Sequence, residues 1–114
     1  MLAEDQINEL RKRFNADAAR GVSATYRITV RGESGGSWLV KIQNGGCEFT
    51  KQDGTTGGAA DCTISAEATD LEMIMEGKMS AMTAVLSGLV SIEGELGLAM
   101  QLLPIFFEGQ APTF

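Results

Sequence analysis

From Met79 to Phe107 the chain reads "MSAMTAVLSGLVSIEGELGLAMQLLPIFF", and its only charges there are Glu93 and Glu95. A stretch this apolar must be covered by the rest of the chain, by a bilayer or by a bound apolar molecule. A membrane-spanning helix needs about 18 uninterrupted apolar residues. Gly88, Glu93, Gly94, Glu95 and Pro104 break this run too often for that. The choice left is between an ordinary core and the wall of a pocket for something greasy.

The preceding residues supply what could cover it. In "EDQINELRKRF", Ile7, Leu10 and Phe14 fall at i, i+3 and i+7, one face of a helix with charges opposite, and Gly21 ends it. "ATYRITVRG" alternates with Tyr26, Ile28 and Val30 on one face, a half-buried strand, and "ESGG" turns the chain. Trp38, Val40 and Ile42 share a face of the next strand. Asn44-Gly45 then signals a hairpin into a strand with Cys47 and Phe49 inward. "KQDGTTGGAAD" is a turn-rich connection to a short strand carrying Cys62 and Ile64.

Thr69 with Glu72 makes a capping box, so a helix starts there, buries Leu71, Ile74 and Met75, and stops at Gly77. Ser80 caps a second short helix that presents Met82, Val85 and Leu86 and closes at Gly88. Val90 and Ile92 share a strand face. Helical spacing returns through Leu98, Ala99, Leu102 and Leu103 until Pro104, which ends or kinks that helix ahead of Ile105, Phe106 and Phe107. The order predicts an α+β fold in one domain spanning 1–114: a single layer of about five mostly antiparallel strands, covered on one face by helices.

Charge and chemistry narrow the function. The net charge is -6, and every basic residue lies at or before Lys78, so a nucleic-acid partner is excluded and an acidic membrane gains nothing from the apolar end. There is no histidine, the commonest general base and metal ligand. Cys47 and Cys62 have no CxxC spacing and no ligand cluster, which argues against zinc or redox chemistry and for buried thiols in a reducing cytosol. A thioester at Cys47 would need a basic neighbour to activate it. Glu93 and Glu95 read as solvated carboxylates, Glu95 favouring the next helix's N-terminus. "TTGGAA" lacks the Lys-Ser/Thr pair of a phosphate loop. The charged N-terminus "MLAEDQINELRKRF" is neither a secretory signal nor a transit peptide. These residues predict no catalytic group, no metal and no cofactor.

"GKMSAMTAVLSGLVSIEGELGLAMQL" resembles the central signature of the sterol carrier protein type 2 family. The matching positions are Gly77, Lys78, Met82, Ala84, Ser87, Gly88, Ile92, Gly94, Gly97, Leu98, Ala99, Met100 and Leu102. "TYRITVRGESGGSWLVKIQNGG" and "DCTISAEATDLEMIMEGK" resemble the family in the same order, so the likeness covers nearly the whole chain. It implies a five-stranded sheet under helices, with an apolar tunnel between them for sterol, fatty acid, fatty acyl-CoA or phospholipid. Family members commonly carry lysine where this chain has Leu89, Glu93 and Gln101, and often proline at Ala81. The missing lysines remove contacts that would favour an anionic head group or membrane.

On this resemblance, part of the Met and Phe stripe becomes tunnel wall. The expected lipid-binding residues are Trp38, Ile74, Met75, Met79, Met82, Val85, Leu86, Ile92, Leu98, Leu102, Leu103, Phe106 and Phe107. Methionine suits such a wall because its flexible, polarisable chain adapts to different shapes. The tail "PIFFEGQAPTF" is either a loosely packed end or a lid that closes the mouth with Phe106 and Phe107. Two functions follow. One is a cytoplasmic, non-catalytic carrier that binds a lipid or fatty-acyl ligand, touches membranes transiently and has no transmembrane segment. The other is a structural or oligomerisation module, such as a homodimer, with little ligand binding.

Overall fold

The computed structural model describes residues 3–32, 35–52 and 60–107, and in it the alternating segments join as one five-stranded sheet. Helix α1 (Ala3–Lys12) precedes β1 (Ala24–Arg31), β2 (Gly36–Gln43), β3 (Gly46–Gln52) and β4 (Cys62–Glu67). Then come α2 (Ala68–Met75), α3 (Ala81–Leu86), β5 (Val90–Gly94) and α4 (Leu96–Phe106). The strand order is β3-β2-β1-β4-β5. Every pair is antiparallel except β1–β4 at the centre, where Ile28 lies beside Ile64 and Val30 beside Ala66. This is the expected α+β class. The connection read from "KQDGTTGGAAD" and the turn at "ESGG" fall largely on 53–59 and 33–34, outside the described residues.

Period-two alternation decides which face is dry. Tyr26, Ile28 and Val30 of β1, Trp38, Val40 and Ile42 of β2, and Cys62 and Ala66 of β4 are buried under the helices. The opposite face is polar and laced across strands: Arg27 Nε donates to Gln52 Oε1 at 3.0 Å, and the Thr29 and Ser37 hydroxyls meet at 3.0 Å. The β2–β3 hairpin turns at Asn44 and Gly45, both with positive φ (53° and 75°), as a two-residue primed turn requires.

Helix α1 ends at Lys12 rather than running on to Gly21. The backbone N–H of Asn15 is drawn to the Ile105 carbonyl (2.9 Å), and its side chain accepts from Ala18 N (3.2 Å), so local side-chain bonding replaces helix. Helix α1 runs alongside α2 and ties both its ends. Gln6 Nε2 donates to the Ala68 carbonyl at 2.8 Å, and Arg13 Nη2 to the Met75 carbonyl at 2.6 Å. A cation at the C-terminal end of α2 also complements its dipole.

The expected capping box at Thr69 does not form. Strand β4 runs straight into α2 with Glu67 at the N-cap, and no side chain caps it. Glu67 still pairs with Arg31 across the sheet (3.2 Å), so Thr69 is already inside the helix. The glycine stops behave as expected. After α2, Gly77 (φ 78°) donates to Ile74 O and Lys78 to Met73 O. After α3, Gly88 (φ 83°) donates to Val85 O and Leu89 to Ala84 O. Both are the paired bonds of a left-handed C-terminal cap. Ser80 caps α3 by accepting from Thr83 N at 3.4 Å. That helix buries Ala81 and Ala84 rather than the face through Met82 and Leu86.

Pro104 does not end α4, which continues to Phe106. The proline lacks one N–H, but it sits in the last turn, and Phe107 N closes onto Leu103 O at 2.8 Å. Burial of Ile105 and Phe106 against α1 and the sheet outweighs the local defect. Farther up α4, the fully buried Tyr26 donates its hydroxyl to the Leu98 carbonyl at 2.9 Å, pinning the helix to the central strand.

Two substitutions test these ties. Gly94 holds φ 104°, and a Cβ there would lie 2.7 Å from the Asp61 carbonyl oxygen. Asp61 in turn brackets Thr25 of β1 through two 2.8 Å bonds. Gly94→Ala should cost about 1–3 kcal/mol, read as a lower urea midpoint, and an unchanged midpoint would refute the contact. Burial, with the nearby Cys62 and Asp61 adding to it, pushes the Tyr26 pKa up to about 12 from 10.0. The folded state therefore holds this proton where the unfolded chain releases it. The stability that Tyr26 contributes is complete below pH 10 and lost as pH rises towards 12. Tyr26→Phe should cost roughly 0.5–1.5 kcal/mol at neutral pH. The gap between wild type and variant should then shrink across that window, and a constant gap would refute it.

Candidate functional site

The sheet's apolar face is covered unevenly. Over β2 and β3 the cover is solid: Phe106 meets Phe14 and Phe49 with ring centroids 5.9 Å apart in each case, and Arg11 lies 5.2 Å above the Phe49 ring. Over β1, β4 and β5 the helices stand off and leave a cavity of about 610 Å³, counted out into its open mouth. Its floor is Ile28 and Val30 of β1, Ile64 and Ala66 of β4, and Val90 and Ile92 of β5. Its roof is Leu71 and Ile74 of α2, Ala81 and Val85 of α3, and Ala99, Met100, Leu102 and Leu103 of α4, with Phe107 beyond. The hollow exists because small residues face one another across it. Ala66, Ala81 and Ala99 are all buried, and none reaches far enough to close the gap.

The lining is almost wholly apolar. Thr29 also borders the cavity, but its hydroxyl is engaged with Ser37. Among the described residues no charged side chain and no cysteine lines the wall. Burial raises both thiol pKa values above the usual range; Asp61 pushes Cys62 further up, and Arg11 only partly offsets the rise at Cys47. Raised thiols are poor nucleophiles. Among the described residues no group of acidic, cysteine or histidine side chains could hold a metal, and no helix is long and apolar enough to cross a membrane. Among the described residues, what the wall offers is contact with hydrocarbon.

Of the residues singled out from sequence, Ile74, Val85, Ile92, Leu102, Leu103 and Phe107 line this cavity. The others stand off its wall. Trp38 is buried on β2, with the Lys51 ammonium 5.8 Å from its ring. Met75 and Phe106 belong to the packed core, and Leu98 is half-buried against it. Met79 and Met82 pack against the small cluster of Ile74, Ala81, Ala84 and Leu103. Leu86 is 79% exposed. Sequence reasoning missed Ile28, Val30, Ile64, Ala66, Leu71, Ala81, Val90, Ala99 and Met100 as lining residues. The inward phase of the strand residues was readable, but phase does not say whether the space above a residue is filled.

The chain matches the model of the SCP-2 sterol transfer family over residues 6–107. It is 31% identical over 103 residues to sterol carrier protein 2 of Gallus gallus, covering 84% of this chain and 18% of that protein. It is 26% identical over 99 residues to hydroxysteroid dehydrogenase-like protein 2 of Xenopus laevis, covering 87% of this chain and 23% of that protein. The chain thus spans about a fifth of the length of these curated relatives. The solution structure of palmitated SCP2L2 from Aedes aegypti superposes with a TM-score of 0.70 at 19% identity, over 90% of this chain and 91% of that one. With the matched model spanning α1 through α4, the chain belongs to the SCP-2 sterol transfer family.

Proposed function

We propose that the chain is a non-catalytic lipid carrier that holds the apolar part of one ligand in the cavity between β1, β4 and β5 and the helices α2, α3 and α4. The observation that carries this reading is the lining: among the described residues it is apolar apart from Thr29, and none of it is charged. A fatty acid, a fatty acyl-CoA, a sterol or a phospholipid would place its hydrocarbon there and leave any charged head at the mouth, since a buried unpaired charge is too costly. The palmitated Aedes relative of the same fold favours an acyl chain among these. Both cysteines are free, which suits a reducing, cytoplasmic setting.

A second reading has one observation in its favour. The chain matches only 18% and 23% of the relatives' lengths, so in those proteins the domain is a small part of a larger chain. Such a part can serve packing or oligomerisation, as a homodimer module does, with little ligand. Native mass spectrometry separates the two. Co-purifying lipid supports the carrier, and an apo oligomer whose melting ignores added lipid supports the module.

Each buried methylene contributes about 0.8 kcal/mol, roughly a fourfold gain in affinity. Titration with saturated fatty acids of increasing length should show affinity rising and then levelling off once the cavity is full. Flat or absent binding across the series would sink the carrier reading. Val85→Trp projects a large ring from α3 into the hollow. Acyl-chain affinity should fall by more than about tenfold while the melting temperature holds or rises. In a solid core the same change would cost about 1–3 kcal/mol, so destabilisation with normal binding would make this region core rather than pocket.

A further inference from the structure

Helix α3 is held differently from its neighbours. Helices α1 and α2 are locked together at both ends of α2, and α4 is pinned by Tyr26 and by Asn15. Helix α3 is six residues long and buries Ala81 and Ala84, and left-handed Gly77 and Gly88 flank it. Two small buried residues remove little apolar surface from water, so this is the least anchored wall of the cavity.

The same segment carries an exposed apolar rim. Val85 lines the cavity, and the next residue, Leu86, is 79% exposed. Leu89 is 39% exposed, and the next residue, Val90, lines the cavity again. Within Val85–Val90 the chain passes from the ligand's wall to open solvent and back. Exposed leucines beside an apolar cavity fit a surface that is itself apolar beneath a polar skin.

Charge selects which surface. No basic residue follows Lys78, and Lys78 lies 3.8 Å from Glu76. The nearest downstream charges, Glu93 and Glu95, are exposed carboxylates. The α3–β5 turn itself carries no cation, so it gains little from anionic lipid. The basic side chains Arg11 and Lys12 are exposed on α1, a different element.

We propose that the α3–β5 turn, through Leu86 and Leu89, docks on a zwitterionic lipid surface, and that ligand enters and leaves beside α3. This rests on the carrier reading above. The test measures transfer of a fluorescent fatty acid between the full chain and phosphatidylcholine vesicles, beside equilibrium affinity for the same fatty acid in vesicle-free buffer. Leu86→Glu with Leu89→Glu should slow transfer by roughly tenfold or more, with affinity and melting temperature unchanged. Thr50→Glu, on the polar sheet face, should leave all three as in wild type. Replacing part of the phosphatidylcholine by phosphatidylglycerol should not speed wild-type transfer. Normal transfer by the double variant would overturn the proposal. So would faster transfer to anionic vesicles, which would point to α1, or a wild-type dimer that the double variant dissolves, which would assign the leucines to contact between copies. Absence of fatty-acid binding in vesicle-free buffer would instead refute the carrier reading and take this proposal with it.

Discussion

One sheet face has to be covered, and the helices that cover it cannot approach it equally everywhere. The largest fully buried side chains are Tyr26, Ile7, Ile42 and Ile105, which come from β1, α1, β2 and the end of α4. They close the β2 side of the sheet as a packed core. Phe106 completes it by reaching Phe14 and Phe49 at once. With that side closed, α4 is fixed at one end by Asn15 and near the other by Tyr26, and α2 is fixed at both ends by α1. The remaining half of the sheet lies beneath helices already positioned, and alanines at 66, 81 and 99 leave the space unfilled. The hollow is thus a consequence of where the packed half puts the helices. An apolar hollow left unfilled would be destabilising, since its walls would lack contact partners. A ligand that fills it stabilises the fold by mass action.

The sequence made the sheet legible because the relevant signals are local. Alternation fixes a strand's inward face whatever lies above it, and Asn44-Gly45 dictates a hairpin by backbone conformation alone. Gly77 and Gly88 likewise mark helix ends because a left-handed cap favours residues without Cβ. The expectations that failed were those settled at a distance. Thr69 has the spacing of a cap, but strand pairing by Glu67 brings the helix start forward. Of the two outcomes Pro104 allowed, ending or kinking its helix, the ending does not occur, and Ile105 and Phe106 beyond it are buried.

The site was less legible than the fold for a related reason. Periodicity names the side of a helix that is covered. It does not say whether the covering is protein or vacancy. The methionine stripe looked like an adaptable wall, yet Met100 is the methionine on the cavity, while Met79 and Met82 back the helices and Met73 is 40% exposed. The wall is set as much by short residues as by long ones. Ala81 and Ala99 would have drawn no notice in a hydrophobic run, and their consequence depends on Ala66 facing them from another element. The adjacent phenylalanines part company in the same way: Phe106 goes to the core, and Phe107, after the helix ends, borders the cavity.

Charge follows the same division of the molecule. Arginines and lysines lie on α1, in the segment between α1 and β1, on the strands and just before α3, and none follows Lys78. The polar sheet face uses Arg27 in a cross-strand bond, and Arg13 is committed to the end of α2. The C-terminal elements that build most of the roof therefore bring no cation to the cavity, and the two carboxylates there are exposed. Among the described lining residues the wall can meet hydrocarbon by length and shape, and none of them pairs with a charged head group. An anionic head group must remain hydrated outside, where it gains little from the protein. Release of a hydrocarbon from such a wall breaks no ion pair among the described residues.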